Sequence, residues 1–283
     1  MEKFILDIIK ISFIQVVYAL GIIVICGFLL EIIERKSNEF MQKSFGWKGI
    51  LVTALIGAPV HELGHAIMCL VFRHKINEIK LIRPLASKQD GIMGFVSHSY
   101  NPKSLYQKIG NFFIGIGPII FGSGVMLLSM KFLMNQMYNN FYSFALEQHK
   151  SITGFNTSFF IILKNIFIQL LHGIFNYGNL LSLNFWIFIL IIISISSHMA
   201  LSAADIKESA RGIVFIYIVS LFLSLIFKIT NVDINYIYSK ILFFNVFLSI
   251  FLFTALSFSI IVLVINMIIY FVKNLCLQCS LEL

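Results

Sequence analysis

The chain has 283 residues, 59% of them hydrophobic and only 12% charged, and its 21 Lys and Arg against 13 Asp and Glu give a formal charge of +8. A soluble domain of this size needs roughly a quarter of its residues charged to cover its surface, so a soluble globular fold is excluded. The basic excess is of the kind that faces anionic lipid, and a nucleic-acid partner is not expected.

The apolar residues fall into separated runs near the length that crosses about 30 Å of hydrocarbon. The first, 11–33, lacks a small-residue cleavage site and is followed by further runs, so it reads as a retained span and not a targeting segment. A second run covers 50–72. The loop 73–108 then carries Arg73, Lys75, Lys80, Arg83, Lys88, Lys103 and Lys108, the densest basic cluster in the chain, which places it in the cytoplasm. Within it Ile76, Ile79 and Leu81, and then residues 91–96, read as short strands separated by turn residues.

A third span is expected at 109–130. Segment 131–184 reads as extracytoplasmic or interfacial: Tyr138, Phe141, Tyr142 and Phe144 resemble an interfacial belt. Asn165, Gln169, His172 and Asn176 fall on one face of a helix over 157–175. Such a stripe suits the interface, or a polar face packed against the bundle or a wet cavity. Spans at 185–206, 213–229 and 241–270 complete the count, with Lys207 and Arg211 in a cytoplasmic turn. The expected fold is therefore all-α: a polytopic membrane protein with six transmembrane helices forming one domain over 1–283. A small cytoplasmic β-hairpin or sheet lies between helices two and three. Both termini are expected in the cytoplasm, and the composition suggests a bacterial cytoplasmic membrane.

The chemistry concentrates in the second span, in the stretch PVHELGHAI over 59–67. On a helix His61 and His65 project from one face and can share a single zinc ion, while Glu62 stays free to serve as general base toward the attacking water. Three ionisable groups within five residues of an apolar run also demand compensation, and a metal ion supplies it. A catalytic zinc takes three protein ligands, so one more is owed. His198, Ser202 and Asp205 fall at helical offsets 0, 4 and 7 at the end of the fourth span. Asp205 is the expected ligand, with His198 or Glu208 the alternatives. Gly110, Gly115, Gly117, Gly122 and Gly124 offer a small-residue face for close helix packing, and Pro118 loosens the local backbone ladder.

These residues together resemble the site-2 protease group of intramembrane zinc metallopeptidases over most of residues 50–212. HELGH at 61–65 is similar to that family's HExxH on a transmembrane helix. The segment GNFFIGIGP at 110–118 looks like its intervening glycine-rich helix, and Gly94-Phe95-Val96 looks like its membrane-associated hairpin. Asp205 matches its later aspartate by order. The chain departs from the pattern in having Ala204-Asp205-Ile206 where the family has Leu-Asp-Gly among prolines, and in lacking a PDZ-like insertion. The resemblance implies a minimal zinc-dependent endopeptidase, or one whose selection of substrate depends on a regulatory membrane partner. Its substrate would be a membrane protein or peptide, extended at the cut. Glu62 would handle the proton, and His198, Ser202 or Asn111 would steady the oxyanion, with Gly115, Gly117 and Pro118 easing packing or access.

Two other classes fit parts of the pattern: a transporter or metal-permeation protein lined by His61, His65, His198 and Asp205, and a non-catalytic zinc-binding scaffold. The first should show an internal repeat or paired broken helices, which the sequence lacks; the second has no need of Glu62. Cys26, Cys69, Cys276 and Cys279 suggest no disulfide framework, and the lone CxxC at 276–279 is too little for a zinc site. His98, His149 and His172 read as surface or interface groups.

Overall fold

The computed structural model describes residues 2–151, 157–230 and 234–281. Its first element, α1 (Glu2–Val71), runs through both of the first two apolar runs and is interrupted only at Gly46, whose φ of 63° and ψ of −159° leave the helical region. Glycine occupies that conformation without a steric penalty, and a sharp fold-back of the chain follows. Asn38 and Thr53 each bond residues 197–198, and Glu34 and His61 bond Ala200 and His198. On a straight helix Glu34 and His61 would lie roughly 40 Å apart at 1.5 Å per residue. The two arms of α1 must therefore approach one another on either side of Gly46.

The chain leaves α1 through Arg73, which has φ 56°. It enters an antiparallel hairpin of β1 (Lys75–Lys80) and β2 (Phe95–Ser99), paired Ile79 to Val96 and Lys80 to Phe95, with an irregularity between Ile76 and Glu78. Residues 91–94, expected to begin a strand, instead belong to the connection. That connection holds a short α2 (Ser87–Asp90) closed by Gly91 at φ 75°. Arg83 donates to Asp90 at 2.9 Å, and the Ile92 N–H donates to the same carboxylate at 2.9 Å. The Ile92 N–H first and the Arg83 guanidinium after it hold the Asp90 carboxyl below the usual carboxylate range.

Next come α3 (Leu105–Gly115), capped by Ser104, and α4 (Gly117–Leu133), with a 54° bend between them. Pro118 occupies the first turn of α4, where a missing N–H costs nothing. Helices α5 (Asn135–Ser151) and α6 (Thr157–Ile174) bury Met137 and Phe141 against a stripe of Ile162, Ile166, Leu170 and Ile174. The apolar stripe of α6 thus faces inward. The polar face of α6 is turned away, with His172 exposed and Asn165 and Gln169 half-buried, and Asn176, expected on the same face, lies beyond the end of α6, where it caps the short helix that follows. His149 and the cysteines at 276 and 279 have side chains outside the described set.

After α7 (Tyr177–Leu180) and α8 (Leu183–Ser196) the chain makes a six-residue connection to α9 (Ala203–Ile229), and α10 (Ile234–Leu281) ends the fold. The core lies between α1, α4, α8 and α10, around Leu30, Ile119, Met126, Phe188, Ile192, Leu252 and Phe258. Buried polar side chains also bind α1 to α9 and to α10. Ser12 donates to Ser224 at 2.9 Å, Ser220 to Gln15 at 2.8 Å, and Asn266 to Ser37 at 2.8 Å. This is the usual way polar groups join helices in a medium that cannot hydrate them.

The expectation of six crossing helices is corrected. Among the described residues three helical stretches are long and apolar enough to span a membrane: Phe4–Val71, Ala203–Ile229 and Leu252–Leu275. The bent pair α3 and α4 makes a fourth if it counts as one span. The runs at 11–33 and 50–72 lie on the two helical arms of α1, on either side of the Gly46 kink, within the single stretch Phe4–Val71. The run at 185–206 ends as a helix at Ser196, which leaves α8 with 14 residues. The expected turn at Lys207 and Arg211 lies inside α9. Hydropathy registers apolar runs, but it does not register where the reciprocal bonds of Ser202 and Asp205 start a new helix.

Candidate metal centre

The second arm of α1 continues as helix through Pro59 into HELGH, so His61 and His65 stand one turn apart on the same face. His61 Nδ1 lies 2.8 Å from the His198 carbonyl, and His65 Nδ1 lies 2.8 Å from the Ile114 carbonyl. A carbonyl only accepts, so each Nδ1 carries its proton and donates it. In the neutral ring each Nε2 is then a bare lone pair. Those two Nε2 atoms face each other at 3.2 Å. Asp205 completes the group: its Oδ1 lies 3.2 Å from His65 Nε2 and its Oδ2 lies 3.7 Å from His61 Nε2. The three ligand atoms lie within 4.8 Å of one another.

Asp205 arrives from an unexpected direction. It is not at the end of a helix that also carries His198 and Ser202. It is the third residue of α9, in a capping box in which the Asp205 N–H donates to Ser202 Oγ at 3.2 Å and the Ser202 N–H donates to Asp205 Oδ2 at 2.7 Å. This reciprocal pairing starts α9 and fixes the carboxylate at the mouth of the helix. His198 lies in the connection, where its carbonyl orients His61 and its Nε2 lies 3.0 Å from Thr53 Oγ1. Ser202 caps α9 and lines the cleft.

Small residues let these parts meet. A Cβ on Gly64 would lie 2.8 Å from the Gly117 carbonyl carbon and oxygen and from Pro118 Cα, so the centre of HELGH rests directly on the α3–α4 bend. A Cβ on Gly57 would strike the Ser194 carbonyl and His198, and one on Gly115 would strike Ser209 and the Asp205 carbonyl. Gly115, Gly117 and Pro118 are thus packing positions. Asn111 is buried with neither amide atom bonded, and it is not among the cleft residues.

The histidines and Asp205 line a cleft of about 640 Å³ that also includes Glu34, Glu62, residues 91–94 of the hairpin connection, the start of β2, His98, His198 and Glu208. Glu62 is buried, at 7% exposure. A Cβ on Gly94 would lie 2.7 Å from Glu62 Cγ, so the connection lies over this carboxylate. Glu208 is not one of the converging ligands. Its Oε1 lies 3.0 Å from His98 Nε2, and His98 Nδ1 lies 3.1 Å from His74 Nδ1. His74 in turn bonds the Gln107 carbonyl at 2.8 Å through Nε2, and burial depresses its basicity below the usual histidine range. His98, expected at the surface, therefore joins the hairpin to α9 one turn beyond Asp205.

Two participants escaped the reading of the sequence. Glu34 sits among Glu31, Arg35 and Lys36 and looks like an ordinary charged residue at the end of an apolar run, yet it is buried in the cleft. Thr53 carries no signal of its own.

The donor set suits a divalent metal. Two imidazole lone pairs and a carboxylate, all acceptors, converge in a buried space, and both imidazoles are held by backbone carbonyls as metal-binding histidines commonly are. The chain matches no family model, and no curated protein or solved structure is significantly similar to it.

Proposed function

We propose that the protein is a zinc-dependent intramembrane endopeptidase, similar to the site-2 protease group, which hydrolyses a peptide bond in or near the membrane span of a membrane protein or peptide. The observation that carries this reading is the convergence of His61 Nε2, His65 Nε2 and the Asp205 carboxylate beside a buried Glu62 that is not itself among the ligands. Zinc held there supplies Lewis acidity to the scissile carbonyl and to the attacking water. Glu62 accepts the proton of that water and delivers it to the leaving nitrogen. His198 and Ile114 hold the imidazoles in one tautomer through their carbonyls, and Ser202 fixes the Asp205 carboxylate. The substrate enters the cleft in extended form, because a helix shields its own carbonyls. The hairpin connection over Glu62 excludes bulk water from the proton transfer. In this reading the basic hairpin faces the cytoplasm, and the membrane is a bacterial cytoplasmic one.

The test is zinc per chain in protein purified without chelators, for wild type beside His61→Ala and Asp205→Ala, followed by hydrolysis of a single-span peptide in proteoliposomes. About one zinc in wild type, its loss in both variants, and hydrolysis abolished by chelation and restored by zinc are expected. Wild type without zinc would overturn the proposal.

A further inference from the structure

The connection at 197–202 touches two of the three ligands. Its His198 carbonyl fixes His61, and its Ser202 caps the helix that presents Asp205. Thr53 of the second arm of α1 bonds the His198 ring, and the backbone of the connection is held from the first arm, far from the HELGH motif in sequence. The Ala200 N–H donates to the Glu34 carboxylate, and one turn further along the same helix Asn38 Nδ2 donates to the Ser197 carbonyl at 3.0 Å. Glu34 is 7% exposed and lines the cleft, and among the described residues it makes no ion pair. A carboxylate buried in a membrane protein without a cationic partner is retained at a cost, and such residues mark functional sites.

We infer that Glu34 is a positioning residue for the metal centre, holding the 197–202 connection through the Ala200 amide so that His61 and Asp205 meet at ligand distance. Asn38 supplies the second tie. The role rests on the metal reading above. It makes the first arm of α1 part of the site: the ligands come from residues 61–205, but their spacing is set by residues 34 and 38. Glu34 acts as an acceptor of backbone N–H in the connection, so an uncharged acceptor of the same shape should serve, whereas an apolar side chain of similar volume should not.

The experiment measures zinc affinity by competition with a chromophoric chelator, in detergent, for wild type, Glu34→Gln, Glu34→Leu and Asn38→Leu, beside the melting temperature of each metal-free protein. Glu34→Gln is expected to keep affinity within a fewfold of wild type. Glu34→Leu is expected to weaken it about 10–100-fold, the usual effect of removing a group that orients metal ligands, with the metal-free melting temperature little changed. A folded Glu34→Leu that binds zinc as wild type does would overturn the positioning role while leaving the metal centre intact. Wild type that binds no zinc would remove the metal reading and this role together. If Glu34→Leu does not fold, Asn38→Leu makes the same comparison, and unchanged affinity there would overturn the role.

Discussion

His61 and His65 each donate Nδ1–H to a backbone carbonyl, so the tautomer of both neutral rings is set by the fold. Glu62 lies between them in sequence but belongs to a different task, since it lines the cleft under Gly94 and is not among the converging ligands. Replacing it by Gln preserves the shape and removes the proton acceptor. Glu62→Gln is therefore expected to keep about one zinc per chain and to lose about 10²–10⁴-fold in hydrolysis rate, the usual contribution of general acid–base catalysis. Zinc analysis and single-turnover hydrolysis on the same preparation check this. Full activity in the variant would show that Glu62 is not the catalytic base, whereas zinc bound without hydrolysis in wild type would favour a scaffold. At this scale the sequence was most legible at HELGH, because two histidines and a carboxylate in an apolar run have few uses. It was least legible at Glu34, which stands beside other charged residues and differs from them only by what covers it.

The elements meet through glycines. The α1 arm rests on the α3–α4 bend at Gly64 and Gly117, and α3 rests on α9 where Gly212 faces the Phe112 backbone and Gly115 faces Ser209. Each seam carries one side of the metal centre: His65 is held by α3 through the Ile114 carbonyl, and Asp205 is held by α9. A valine at residue 64 would place a branched side chain against the Gly117 backbone, which cannot yield as a flexible side chain does. Gly64→Val is expected to destabilise the protein by about 1–3 kcal/mol, the usual cost of forcing extra atoms into a packed interior, and to reduce bound zinc. Thermal unfolding followed by circular dichroism in detergent, with zinc content on the surviving folded fraction, measures both. A variant as stable and as zinc-loaded as wild type would show that this contact is looser than the structure has it.

Across the whole molecule the cleft opens where the hairpin, the α8–α9 connection and both arms of α1 come together, so hairpin and metal centre belong to the same end of the bundle. The hairpin carries Lys75, Lys80, Arg83 and Lys88 and a fully displayed Leu85, which is 88% exposed. If the basic-residue rule places this end in the cytoplasm, Leu85→Cys in a background with the native cysteines replaced by serine should react with a membrane-impermeant maleimide in inside-out vesicles. It should not react in right-side-out ones. The opposite labelling would reverse the orientation and with it the side from which a substrate reaches the site.

By itself the sequence determined the membrane class, the helical character of the long runs and the hairpin after residue 72, and it narrowed the partner of HELGH to Asp205, with His198 and Glu208 as alternatives. Each of these is written in local composition or spacing: too few charges for a soluble surface, apolar runs of crossing length, histidines four apart on a helix, and a histidine and two acidic groups at the end of a late apolar run. Only the tertiary structure decided that 11–33 and 50–72 lie on two helical arms that fold back on one another at Gly46. It also decided that α8 stops at Ser196, and that His198 serves through its carbonyl while Asp205 begins the next helix. Glu34 and His98 enter the site for the same reason. A hydropathy run carries no information about which serine will cap a helix or which carbonyl a ring will find. Those depend on backbone groups brought together from segments more than a hundred residues apart.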